Sequence, residues 1–336
     1  MTPRLIKITI ALLFCGVIIL SGCAAQSTEL SFEAMDTFMR VKLFSDNGES
    51  ASLKIRAETE RLDALLSTAD KSSAVRALNE DGSLQNGEVA DLTRRTLELC
   101  GSTGGALDIS VYPLVEEWGF ISRDYKIPSR ERIASLLEGV DYRSVKAEGE
   151  LVTLRPGMKI DFGAVAKGYL ADRLSAVLDE EKTASALLNL GGTVYARGKK
   201  PDGSRWTVGI ADPENSADFM GSLECEDRVV ATSGSYERFF TGSDGRLYCH
   251  IIDPKTGYPV DNGVKSVTVV CESGLKSDAL STALFVMGKE KAAEYYKRNG
   301  GFEYILLTDK TAYVSDGLIG DFNLARTASY EIEAIR

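Results

Sequence analysis

The chain has 336 residues, 44% hydrophobic and 26% charged, with 31 Gly and 8 Pro. That composition excludes a collagen, a coiled coil and a mainly disordered chain, and the length suffices for a sizeable core. A net charge of −10 argues against a nonspecific nucleic-acid binder, and the single histidine, His250, excludes a multi-histidine metal site.

Residues 1–22 read as a lipoprotein signal peptide. Arg4 and Lys7 give a basic start, and the apolar run Ile8 to Leu20 is too short to span a bilayer comfortably. Leu20-Ser21-Gly22-Cys23 resembles a bacterial lipobox, in which cleavage precedes a cysteine that is then acylated. The expected mature chain starts at Cys23, with 23–30 as a lipid-anchored tether and 31–336 as one folded domain. Losing the two charges of Arg4 and Lys7 takes the net charge from −10 to −12. The expected place is extracytoplasmic, held to a bacterial membrane by lipid and not by a spanning helix. A plain signal peptide containing Cys23 is the other reading. Cys100, Cys225, Cys249 and Cys271 show no C-x-x-C spacing, so a zinc ribbon or thioredoxin-like site is disfavoured. Free thiols and any of the disulfide pairings stay open.

Phe38 to Phe44 alternates in part, with Met39, Val41 and Leu43 on one face, and predicts a strand. Residues 50–68 carry Leu53, Ala57, Leu62, Leu65 and Leu66 at near-helical spacing. Residues 89–100 predict a second helix stopped by Gly101. Lys159 to Asp161 reads as the end of a short strand. A helix from Ala164 to Leu178 follows, with Val165, Leu170, Leu174, Val177 and Leu178 as its stripe. Residues 186–197, 206–210, 227–232 and 247–252 read as strands, and Val264 to Cys271 is strongly β-branched. Asp278 to Met287 predicts a helix closed by Gly288. Tyr304 to Leu307 and Ala312 to Ser315 form a closing hairpin-like pair. Strands and helices mix without strict alternation, which points to α+β and away from a doubly wound parallel sheet.

Several segments carry chemistry. Asp278 and Thr282 are i and i+4 on one helix face, and a carboxylate with a hydroxyl suits Mg²⁺ or Ca²⁺. The alternative is that Ser277 or Asp278 caps the helix while Thr282 packs. In Asp161-Phe-Gly163-Ala164-Val-Ala-Lys167-Gly168 a helix begins at a glycine, where free N–H groups and Lys167 attract phosphate; a tight turn with a solvated lysine is the other reading. This is neither a P-loop nor a G-x-G-x-x-G fingerprint. Paired glycines at Gly104-Gly105 and Gly191-Gly192 allow close backbone approach. His250 leaves a strand beside Asp253 and the turn Pro254 to Pro259; it is structural or catalytic, with Asp253 as rival base or orienting group. Lys255-Thr256-Gly257 and Ser273-Gly-Leu-Lys276 match β-lactamase motifs, but in reversed order and without S-D-N between them, so that reading fails.

Taken in order, Ala34-Met35-Asp36-Thr37-Phe38-Met39, Gly104-Gly105-Ala106-Leu107-Asp108, Asp161 to Asp172, Asn189-Leu-Gly-Gly192, Ala231 to Arg238, His250 to Pro259 and Ser277 to Thr282 resemble the ApbE family, the FAD:protein FMN transferases. The match covers nearly all of the mature chain. The resemblance implies mixed, largely antiparallel sheets with packed helices, an ApbE-like (T-fold-like) architecture. It also implies FAD as substrate and Mg²⁺ on its pyrophosphate. A Thr or Ser hydroxyl of an acceptor protein attacks on the FMN side, AMP leaves, and FMN stays bound by a phosphoester. By the same resemblance Met35, Ala106, Leu107, Asp108, Asp161, Lys167 and Ile252 contact FAD. Ala164 (by its carbonyl), Asp278 and Thr282 hold the metal, and His250 deprotonates the acceptor. Implied acceptors are membrane redox-complex subunits (quinone-reductase or Rnf-type) or exported flavoproteins. Many members are lipoproteins, in agreement with Cys23.

One position departs. Many transferases of this family carry an aromatic, typically Tyr, where Ala69 stands, and Ala69 removes that stacking surface. Two other functions therefore stand beside the transferase. One is a Mg²⁺-dependent FAD pyrophosphatase giving FMN and AMP. The other is a non-enzymatic, lipid-anchored flavin-binding protein, which would have no use for His250.

Overall fold

The computed structural model describes residues 27–336, so the signal peptide and Cys23 lie outside the described residues. β1 (Ser27–Ala34) and β2 (Thr37–Phe44) form a hairpin, followed by α1 (Gly48–Leu66) and α2 (Ala74–Asp81). Next come β3 (Ser83–Gln85), α3 (Gly87–Ser102), α4 (Tyr112–Glu117), α5 (Arg130–Leu137), β4 (Lys146–Glu148) and β5 (Leu151–Thr153). The second half opens with α6 (Ala166–Glu180), β6 (Ser185–Asn189), β7 (Thr193–Arg197), β8 (Trp206–Asp212), β9 (Asn215–Cys225) and β10 (Arg228–Gly234). β11 (Phe239–Thr241), β12 (Leu247–Cys249), β13 (Ser266–Cys271) and α7 (Gly274–Asn299) follow. β14 (Glu303–Leu307), β15 (Thr311–Ser315), β16 (Phe322–Leu324) and β17 (Glu331–Ile335) complete the chain.

The α+β expectation holds. One nine-stranded sheet runs β1-β2-β6-β7-β10-β13-β14-β15-β17, antiparallel throughout except where β17 joins β15 in parallel. Helices α1, α6 and α7 cover one face, and the small sheet β16-β9-β8 covers the other. Met39, Val41 and Leu43 point from β2 into the helical layer, against Ile55 and Leu62 of α1 and Leu170 and Leu174 of α6. Val230, Val270, Ile305 and Val314 face the opposite way, onto Trp206, Val208 and Met220. β13 is buried along its whole length, which explains its β-branched run: both of its faces are core. Among the described residues no helix is long and apolar enough to cross a membrane.

Several expectations need correction. Ser27 to Leu30, read as tether, is the first half of β1 and pairs with Val41 to Phe44. Its polar residues are tolerated because β1 is an edge strand with an exposed side. Leu53 and Ala57 lie on the outer side of α1; the buried stripe is Ala51, Ile55, Thr59, Leu62 and Leu66. Thr59 fits there because its hydroxyl bonds back to the Ile55 carbonyl at 2.7 Å. Residues 186–197 are two antiparallel strands, β6 and β7, reversed at Gly191 and Gly192. Gly191 has φ +76°, and a side chain there would fall on Thr37. Lys159 to Asp161 is no strand. It is held by Asn79, whose amide brackets the Ile160 backbone at 2.8 and 2.7 Å, and by the Ile109 carbonyl. The strand 247–252 ends at Cys249, leaving Ile252 in a single bridge to Pro259. Gly288 (φ 75°) does break the last long helix, but the chain resumes helix at once and runs to Asn299. The freed Phe285 carbonyl is taken by the Asn262 side-chain amide at 2.9 Å.

Candidate active site

The site is organised by two helices that cross at glycines. A Cβ on Gly168 of α6 would fall on the Gly274 carbonyl and lie 2.6 Å from Asp278 Cβ, so only glycine lets α6 and α7 meet this closely. Val165, at the start of α6, offers no capping side chain. Asp278 caps the helix from outside: its carboxylate accepts the Gly168 N–H at 2.8 Å, and the Lys167 N–H points to it too. The Gly168 N–H would ordinarily serve the Ala164 carbonyl. Diverted, it leaves that carbonyl with no backbone donor among the described residues. The expectation of free N–H groups for a phosphate at this helix start is thus corrected. They are spent on Asp278 and on Phe162, whose carbonyl takes the Ala166 N–H at 2.8 Å.

Asp278 does not cap its own helix. Ser273 does, through the Lys276 N–H, and Asp278 lies a turn inside, nearly fully buried. Thr282 follows one turn later, its hydroxyl 3.1 Å from Ser233 Oγ. Burial pushes the Asp278 carboxyl up, against the Lys167 charge and the two N–H groups. Such a carboxylate invites a cation. Asp278, Thr282 and the released Ala164 carbonyl make a hard oxygen set that suits Mg²⁺.

These groups line a cleft of 960 Å³, at the upper limit of small-molecule sites (roughly 300–1,000 Å³). Met35 enters from the β1–β2 turn, Ala69 from the segment after α1, and Ala106, Leu107 and Asp108 from the loop after α3. Asp161, Ala164 and Lys167 come from the start of α6, and His250 and Ile252 from the segment after β12. Residues scattered over more than two hundred positions thus converge, because the β1–β2 and β6–β7 turns and the C-terminal end of β10 open on the same side of the sheet.

Lys167 acts on Asp278, Glu237 and His250 together. Burial raises the half-buried Asp161 carboxyl to about 6, although its Oδ1 accepts the Gly163 N–H at 2.7 Å. His250 moves the other way, to about 4, through burial and the Arg238 and Lys167 charges. It is therefore a neutral imidazole at pH 7. Its Nδ1 lies 3.2 Å from the Arg238 carbonyl, which can only accept, so Nδ1 carries the proton and Nε2 the lone pair. The Phe120 ring meets the imidazole edge-on at 6.4 Å.

Two expected residues are engaged elsewhere. Asp253 does not line the cleft; its carboxylate takes the Lys255 N–H at 2.9 Å and its carbonyl the Gly257 N–H at 2.8 Å. It builds the turn after His250, which corrects the expectation of Asp253 as rival base or orienting group. Asp108 lines the cleft, but both its oxygens are taken, by Ser110 (2.8 and 2.6 Å) and by the Tyr142 N–H (3.0 Å). These bonds shape the loop that carries Asp108 into the cleft wall. The four cysteines are free and buried.

Sequence reasoning missed Asp36, Arg123 and Arg238, which line the cleft mouth. Met35 and Asp36 form the β1–β2 turn with φ of 49° and 56°. Left-handed backbone costs a non-glycine residue about 1–2 kcal/mol, though less for Asp. Asp36 and Arg238 stood inside the quoted motifs, so a signal existed; Arg123, on a loop without pattern, gave none.

The chain matches the model of the ApbE family over residues 35–306. It is 33% identical over 306 residues to the FAD:protein FMN transferase of Escherichia coli K12, covering 86% of this chain and 87% of that protein. Its fold superposes on the ApbE protein of Thermotoga maritima with a TM-score of 0.78 and 32% identity, covering 90% and 98% of the two chains. Against the flavinyl transferase ApbE of Pseudomonas stutzeri the TM-score is 0.75 with 29% identity, covering 85% and 92%. With that family match, these relatives and a cleft assembled from the motif residues, the chain belongs to the ApbE family.

Proposed function

We propose that this protein transfers FMN from FAD to a Thr or Ser hydroxyl of an acceptor protein. The acceptor oxygen forms a bond to the FMN-side phosphorus, the pyrophosphate P–O bond breaks, and AMP leaves. The observation that carries this reading is that one cleft brings together an oxygen set suited to a cation, at Asp278, Thr282 and Ala164, and a neutral His250, with Lys167 acting on both Asp278 and His250. Mg²⁺ on those oxygens would neutralise the diphosphate charge. Lys167 adds a fixed positive charge that gains value as negative charge builds on the leaving phosphate. The acceptor hydroxyl loses its proton to Nε2 of His250, a lone pair held ready at neutral pH. A protein that only stored flavin would not need that base.

The acceptors that fit are subunits of membrane redox complexes or exported flavoproteins, reached by an enzyme anchored through acylated Cys23 at the outer side of a bacterial membrane. The signal-like residues 1–22 support that placement. Hydrolysis is the second reading, favoured by one observation: Ala69 lines the cleft with a methyl group where a ring would exclude water. The test is AMP release from FAD and an acceptor, with and without Mg²⁺, in wild type and Asp278→Ala. The proposal expects Mg²⁺-dependent release that Asp278→Ala abolishes. Full activity in that variant would remove the metal site from the account.

A further inference from the structure

The geometry points to Asp36 as a positioning residue that holds His250 for proton abstraction through Arg238. The inference rests on the reading of His250 as the base. Arg238 is tied at both ends. Its guanidinium meets Asp36 Oδ2 at 2.8 Å. Its carbonyl accepts the His250 backbone N–H at 2.9 Å and faces the ring Nδ1 at 3.2 Å. The β1–β2 turn is thereby linked to the imidazole, and the tautomer of the base depends on where Arg238 sits.

A second arm leads from the same carboxylate. Asp36 Oδ1 takes Arg123 at 2.9 Å, so one acid holds two arginines from two other segments. All three pairing groups are substantially exposed, and pairs of that kind add little to stability. Yet the turn that presents Asp36 keeps two left-handed residues in succession, and Arg123 is left-handed as well (φ 63°). Five non-glycine residues have positive φ among the described residues, and Met35, Asp36 and Arg123 are the three that line the cleft. Strain gathered at one site, with little stability returned, indicates a role in function. Removing the carboxylate would leave Arg123 and Arg238 as unbalanced like charges at the cleft mouth, free to swing. The Arg238 carbonyl, then held by the His250 backbone N–H without the side-chain anchor, would fix the ring less firmly.

The test is a double-mutant cycle on FMN transfer to an acceptor protein, read as AMP release. Asp36→Asn keeps a residue that tolerates left-handed backbone and removes only the charge. It is expected to lower kcat about 10- to 100-fold, the scale of a misplaced catalytic group, with KM for FAD within about 2-fold. In a His250→Ala background the same substitution is expected to cost nothing further, because the group it positions is gone. Arg238→Gln is the independent second variant and is expected to behave alike. Losses that multiply in the double variants, or single variants with wild-type kcat, would overturn the inference while leaving His250 as base. A wild-type rate in His250→Ala alone would instead overturn the base reading, and this inference with it.

Discussion

Asp172 and Asp278 cap each other's helices. Asp172, on α6, accepts the N–H groups of Gly274 and Leu275 at the start of α7, at 2.5 and 3.1 Å. Asp278, on α7, accepts the Gly168 N–H at the start of α6. Burial pushes both carboxyls up. The two are equivalent as caps but not as site residues, since only Asp278 lines the cleft. Asp172→Ala should lower stability by about 0.5–2 kcal/mol, the worth of a cap, and still gain thermal stability from added Mg²⁺. Asp278→Ala should lose the Mg²⁺-dependent rise in Tm altogether. Thermal scans with and without Mg²⁺ check both, and an equal Mg²⁺ response in the two variants would contradict the division of labour.

His250 and Asp161 should imprint opposite pH dependences on stability. The folded His250 sits at about 4, below its ordinary 6.5, so the unfolded chain binds the extra proton between them. Its contribution is complete above about pH 6.5 and is lost as pH falls toward and through about 4. Asp161, raised from 3.8 to about 6, contributes below about pH 3.8 and loses that contribution as pH rises through about 6. The Tm of wild type minus that of His250→Ala should therefore grow from pH 4 to 6.5, while wild type minus Asp161→Asn should shrink from pH 3.8 to 6. Unfolding curves across that range decide it; flat differences would mean that neither group is perturbed as described.

Ala69→Tyr should restore a stacking surface at the cleft wall and lower the ratio of FAD hydrolysis to transfer, by roughly 3- to 10-fold if the ring contributes the usual ~1 kcal/mol of an aromatic contact. Free FMN and protein-bound FMN, measured in one reaction, give that ratio. An unchanged ratio would separate Ala69 from the control of water.

The described cysteines should be invisible to a thiol reagent in the native protein. Cys100, Cys225, Cys249 and Cys271 are all buried and free, and burial drives Cys100 and Cys225 up to about 12. Thiolate, the reactive form, is therefore negligible at neutral pH. Denaturation of a soluble form starting at Ala24 should release four reactive thiols without reductant. Two or none would reveal disulfides.

How far the sequence could be read depended on the kind of signal. Met39, Val41 and Leu43 were legible because a strand with one face in the core alternates, and β13 because a doubly buried strand does not. The stripe of α1 was misread because Thr59 occupies a core position that hydropathy assigns to solvent, while Leu53 lies outside. Ser27 to Leu30 looked like tether because backbone pairing at a sheet edge needs no apolar pattern. In the site, motif order located the residues that line the cleft but could not say what each atom faces. Asp253 and Asp108 are spent on N–H groups a few residues or a whole loop away. The Asp36–Arg238 link joins positions about two hundred residues apart and exists only once β1–β2 and β10 share a sheet.

The most direct test of the account is a single reaction containing the soluble form from Ala24, FAD, Mg²⁺ and an acceptor protein bearing a flavinylation threonine. The acceptor is run on a denaturing gel, its flavin fluorescence is read, and AMP and free FMN are measured in the same tube. The account predicts a fluorescent acceptor band with an equal amount of AMP, both lost on omitting Mg²⁺. AMP with free FMN and a dark band would make water the acceptor. No AMP at all would contradict the proposed chemistry.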